Sequence, residues 1–124
     1  MKVLALDYGS ARTGIAVSDP TGTLARPVGV AERVRTPEGL ESLLRTIREQ
    51  APERVVVGLP LTLRGAHGEQ ARETLEFVET LRGNVTIPVE TYDERFTSSL
   101  AGGDDARAAA YLLSSYLEWL SATG

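Results

Sequence analysis

Apolar positions run continuously at Val3 to Leu6 and stop at Asp7, so residues 2–7 (KVLALD) predict a central strand covered on both faces. The next residues, YGSART, are turn chemistry, and 14–18 (GIAVS) predict a second strand hairpin-paired to the first. Asp19-Pro20-Thr21-Gly22 predicts a turn. Leu24 to Val30 predict a third strand, placed at a sheet edge because Pro27 has no amide to donate. Thr36-Pro37-Glu38 predicts a helix start: a capping hydroxyl, a proline at the first position and an acid in the first turn. Leu40, Leu43, Leu44 and Ile47 then share one helical face. Residues 54–59 (RVVVGL) predict a buried strand of the parallel type. The loop PLTLRGAHG leads into a helix with the stripe Ala71, Leu75, Val78 and Leu81. Ile87 to Tyr92 predict a short strand, and Asp104 or Asp105 opens a last helix with Ala109, Leu113, Leu117 and Leu120 on one face.

The order is β-β-β-α-β-α-β-α. Three strands joined by short turns run antiparallel. The last two each follow a helix, so they run parallel to the first through right-handed crossovers. This predicts an α/β domain over residues 1–124: a five-stranded mixed sheet with helices on its faces. No internal repeat or low-complexity segment interrupts it.

Composition narrows the class. The 42% hydrophobic and 24% charged content is that of a soluble globular domain. No cysteine is present, which excludes disulfides, thiol nucleophiles and cysteine-ligated zinc, and suits a reducing cytosol. The four-residue apolar run before Asp7 is too short for a signal peptide, and no stretch approaches a membrane span. Net charge is −4, whereas nucleic-acid binders carry a basic face. Any cations that meet nucleic acid must be local ones: Arg12, Arg64, Arg95 and Arg107.

In open α/β sheets the parallel strands end at one rim, and ligands collect there. Asp7 ends the first strand, Gly58 lies at the same end of the fourth, and Asp93 and Glu94 follow the fifth. Asp105 reaches that rim if the last helix packs over the first strand. Singly, each acid has a plainer role: Asp7 as a strand terminator, Asp104 or Asp105 as a helix cap, Glu94 as a surface partner of Arg95. Together they repel one another unless a cation sits between them. Hard divalent ions take oxygen ligands, and two such ions are the apparatus of phosphodiester hydrolysis.

DYGSARTGIAVSD, VVVGLPLTLRGAHGEQA, PVETYDERFTS and DDARAAAYLLSSYL, in this order, resemble the YqgF/RuvX family of pre-16S rRNA nucleases and Holliday-junction resolvase-like proteins. The resemblance spans nearly the whole chain. It implies a ribonuclease H-like fold and a nuclease acting on pre-16S rRNA or branched DNA with Mg²⁺ or Mn²⁺, two ions in all, in the cytoplasm. It implies Asp7, Glu94 and Asp105 as the catalytic and metal-binding acids, with Asp105 preferred to Asp104 by its spacing to Tyr116-Leu117. One departure stands out. Members have a longer segment with basic residues before the last acid, whereas here RFTSSLAGGD alone joins Glu94 to Asp105.

The remaining candidates concern nucleic acid. Arg12 matches the arginine of the family's DYG-x-x-R and suits a bidentate phosphate contact. Gly58, Arg64, Gly65 and Gln70 lie in or beside a glycine-rich loop leading into a helix, where backbone amides favour anions, although the loop lacks the lysine of a Walker motif. Arg95 and Thr97 flank Glu94, with Thr97 a supporting hydrogen-bonding group. His67, the one histidine, has no counterpart in the family pattern, and Ser10, Thr97 and Ser98 lack the base that a serine-type mechanism needs. Tyr116 and Trp119 suggest a dimer patch, and two coordinated cuts in a junction require a homodimer. Two other classes fit parts of the pattern. A non-catalytic nucleic-acid or ribosome-binding module would suit the net charge. A phosphotransferase of the actin and sugar-kinase type needs two such domains around a cleft.

Overall fold

The computed structural model describes residues 1–60, 68–93 and 105–123. Its elements follow the expected order: β1 (Val3–Asp7), β2 (Arg12–Ser18), β3 (Ala25–Glu32), α1 (Pro37–Gln50), β4 (Arg54–Leu59), α2 (Glu69–Arg82), β5 (Val89–Asp93) and α3 (Asp105–Thr123). The strands form one sheet ordered β3-β2-β1-β4-β5. β1 pairs antiparallel with β2 and parallel with β4, and β4 runs parallel to β5. β3 is an edge strand, as Pro27 requires. The register slips beside that proline, where Ile15 faces Gly29 and Ala16 faces Pro27, so Val28 bulges out.

The α1 start forms as its residues dictate: the Thr36 hydroxyl accepts from the Gly39 amide at 3.1 Å, and Pro37 is the first helical residue. β5 begins two residues later than the apolar pattern suggests, since the Pro88 carbonyl already accepts from the Val55 amide at 2.9 Å but proline cannot donate in return.

The sheet has a core on each face. On one side Leu4, Leu6, Ile15, Val17, Val55 and Val57 meet Leu43 and Ile47 of α1 and Phe77, Val78 and Leu81 of α2. On the other, Val3, Ala5, Ala16 and Val56 meet Ala109, Leu112, Leu113, Tyr116 and Leu117 of α3. Alternate residues of β1 therefore serve opposite layers. This is why the strand reads as an unbroken apolar run, and why the polar residue that ends it sits at a rigid point.

Candidate active site

Asp7 lies where β1 leaves the interior. Leu6 is level with Val57 of β4, so Asp7 and Gly58 follow side by side at the same end of the sheet. β5 extends the row, with Tyr92 beside Gly58 and Asp93 beside Leu59. On its other flank Asp7 faces Gly14 of β2. The first residue of α3 rests on that glycine: a Cβ at position 14 would stand 1.8 Å from the Asp105 carbonyl oxygen. The bare strand surface thus brings Asp105 to Asp7 from the far end of the chain.

The two carboxylates feel each other. Burial, and then the negative charge of Asp105, push Asp7 up from its ordinary 3.8 to about 6. Asp105 has a second neighbour: Arg12 Nε lies 2.9 Å from its Oδ2, with the guanidinium side chain about half exposed. Arg12 projects from a braced turn. A side chain on Gly9 would meet the Arg12 carbonyl oxygen at 2.4 Å, so glycine lets the turn close. The fully buried Thr13 donates its hydroxyl to the Gly9 carbonyl at 3.3 Å, and the Ala11 carbonyl accepts from the Arg33 amide at 3.0 Å.

Tyr8 belongs to the same rim, though the sequence reading passed over it. Its ring stacks on Phe77 with centroids 4.8 Å apart, and its hydroxyl donates to Glu73 Oε1 at 2.7 Å. Burial and that carboxylate push the phenol up to about 12, so it stays a neutral donor tying the end of β1 to α2. The signal was there: an aromatic with a polar tip directly after a buried strand needs a partner.

Of the other expected residues, Gly58 is buried at the rim. Gln70 is exposed in the first turn of α2, whose Gly68 cap makes no side-chain hydrogen bond. Arg64, Gly65, Glu94, Arg95 and Thr97 lie outside the described residues, as do His67, Ser98 and Asp104. Among the described residues no group of three or more histidine, cysteine or acidic side chains could hold a metal ion, so these residues supply the pair Asp7 and Asp105. The suggested dimer patch needs correction. Tyr116 is 1% exposed and donates its hydroxyl to Glu90 at 2.5 Å while accepting from Arg54 at 2.7 Å; only Trp119 faces outward. A tyrosine between two charged partners belongs to the core.

A mixed sheet in this order, with helices on both faces, is a ribonuclease H-like fold. Comparison with known proteins agrees. The family described as RuvX, Holliday junction resolvase, matches residues 1–104. A "Putative pre-16S rRNA nuclease" of Sulfurihydrogenibium sp. is 40% identical over 136 positions, covering 97% of this chain and 92% of the relative. Its namesake in Rubrobacter xylanophilus is 43% identical over 131 positions, covering 94% and 92%. The 136 aligned positions exceed this chain's 124 residues, so the first relative carries residues that this chain lacks. Among solved structures, T. thermophilus RuvC in complex with a Holliday junction substrate matches with a TM-score of 0.64 at 19% identity, over 99% of this chain and 97% of that one. The Fowlpox virus resolvase with Holliday junction DNA gives 0.57 at 15%, over 97% and 99%. Those two likenesses speak to the fold. The chain belongs to the RuvX family and is a nuclease, a hydrolase of phosphodiester bonds. Among the described residues no helix is long and apolar enough to cross a membrane.

Proposed function

We propose that this nuclease depends on divalent metal and trims the 5′ end of pre-16S rRNA, with Asp7, Glu94 and Asp105 holding two Mg²⁺ or Mn²⁺ ions. The observation that carries this reading is the Asp7–Asp105 pair. Two carboxylates are brought together and partly withdrawn from water, and the cost of charging the first appears in its rise to about 6. A cation between them relieves both causes of that rise. The donor set is all oxygen, which fits a hard divalent ion. Bound there, such an ion would activate water and stabilise the leaving oxygen.

The chain's own residues have separate tasks. Asp7 is anchored on the central strand, Asp105 on the first turn of α3, and Glu94 directly follows β5. Arg12 offers a planar fork to a phosphate. Gly58, Arg64, Gly65 and Gln70 follow the substrate backbone toward α2, while Arg95 and Thr97 flank Glu94. Attack by water leaves 5′-phosphate and 3′-hydroxyl ends. Acting on rRNA, the protein works in the cytoplasm.

The relatives' name favours RNA. The family's description favours branched DNA, which needs two cuts and hence a homodimer. The test is cleavage of a labelled precursor rRNA and of a four-way DNA junction, each with Mn²⁺ or EDTA, by wild type and Asp7→Asn. We expect metal-dependent cutting of the RNA, lost in the variant by at least about a hundredfold. Preferential cutting of the junction would move the substrate to DNA. No cutting of either by folded, metal-supplied protein would remove the metal-nuclease reading.

A further inference from the structure

Arg12 has two candidate partners. Its Nε lies 2.9 Å from Asp105 Oδ2, and the same guanidinium is the rim's candidate phosphate contact. Asp105 likewise has two claimants, the guanidinium and the divalent ion assigned to the acidic pair. We infer that Arg12 is an exchangeable clasp that couples the two binding events: a cation taken up by Asp7 and Asp105 displaces the guanidinium, and the freed guanidinium takes a substrate phosphate. This inference rests on the metal-site reading above.

Three features of the structure support an exchange rather than a fixed brace. The pair is accessible to water, with the Arg12 side chain 56% exposed and that of Asp105 31% exposed, so it is of the weak, solvated kind that a competitor can replace. The turn carrying Arg12 is braced through its backbone and Thr13, so releasing the guanidinium leaves the frame in place. The Asp105 backbone, meanwhile, is seated on Gly14, which keeps the acid at the rim whether or not Arg12 holds it. By linkage, whatever metal does for phosphate affinity through this exchange, phosphate does for metal affinity to the same factor.

The test is calorimetric titration of Mn²⁺ into nucleic-acid-free protein at pH 8, comparing wild type, Arg12→Gln, Arg12→Lys and Asp7→Asn. A clasp competes with metal, so Arg12→Gln should bind Mn²⁺ about two- to fivefold more tightly, the size expected for an exposed ion pair. Arg12→Lys, which keeps the charge and loses the fork, should fall between. If Arg12 instead holds the Asp105 carboxylate in place for metal, Arg12→Gln binds more weakly; that outcome, or no change, overturns the clasp. Failure of the underlying site looks different: wild type takes up no Mn²⁺, or Asp7→Asn takes it up equally well. A second arm follows binding of a labelled 2′-O-methyl RNA hairpin by anisotropy. The gain in affinity from EDTA to Mn²⁺ should be larger in wild type than in Arg12→Gln, and equal gains would also overturn the coupling.

Discussion

Asp7 is a carboxylate kept at a place that disfavours its charge. Folding raises its pKa from 3.8 to about 6, chiefly by burial and then by Asp105. The folded state therefore holds this proton more tightly than the unfolded chain does. The stabilisation is complete below pH 3.8 and is lost as pH rises through about 6. At neutral pH without metal, ionised Asp7 costs stability. Asp7→Asn should accordingly raise the melting temperature in EDTA at pH 7.5 by a few degrees, corresponding to about 1 kcal/mol after allowance for the group's partial exposure. The gain should vanish at pH 3.5. In excess Mn²⁺ the order should reverse, because wild type gains from binding and the variant does not. Paired thermal melts decide it, and equal melting temperatures in EDTA at pH 7.5 would contradict the raised pKa. Residues that reduce the stability of a fold and still terminate its most rigid strand are the ones to expect at a site.

The element that completes the rim is α3, and its placement depends on one missing side chain. Because a Cβ on Gly14 would stand 1.8 Å from the Asp105 carbonyl, Gly14→Ala must displace either β2 or the helix start. We expect about 1–3 kcal/mol of lost stability, the range for an overpacked core. Cleavage should fall more than that loss explains, since Asp105 moves away from Asp7. Chemical denaturation alongside the rRNA assay separates the two effects, and a variant of native stability and activity would show that the close approach is unimportant. Gly14 also marks how far the sequence could be read. Apolar patterning, with turn and capping signals, located the strands and helices, because each face of the sheet is covered by helices with their own stripes. The end of the apolar run singled out Asp7 for the same reason. The Arg12–Asp105 pair was not legible, since it depends on where α3 crosses β2 and no spacing along the chain encodes that crossing. A glycine inside a strand was the available hint of a close approach. Tyr116 misled in the opposite direction: periodicity cannot separate an outward aromatic from one that buries its ring and gives its hydroxyl to Glu90 and Arg54. Phe77 escaped the expected stripe of α2, yet it is fully buried under Tyr8.

Taken over the whole molecule, charge and task pull in opposite directions. The chain carries −4 and must approach a polyanion. Its field at long range is repulsive, so attraction has to come from a few local cations and from the metal proposed between the acids. Binding to nucleic acid releases about 0.9 counterion per duplex phosphate neutralised. With Arg12, Arg64 and Arg95 as the contacts, the logarithm of the association constant should fall with the logarithm of KCl concentration at a slope of about −3, far shallower than that of proteins with a broad basic face. Arg12→Gln should make it shallower by about 0.9 and weaken binding to different sequences alike, as expected of a phosphate contact. The measurement is fluorescence anisotropy of a structured RNA across KCl concentrations at fixed Mn²⁺. A slope near −8 would mean that a much larger cationic surface meets the substrate, and these three arginines would then be the wrong account of how an acidic nuclease holds nucleic acid. A slope that Arg12→Gln leaves untouched would remove Arg12 from the interface.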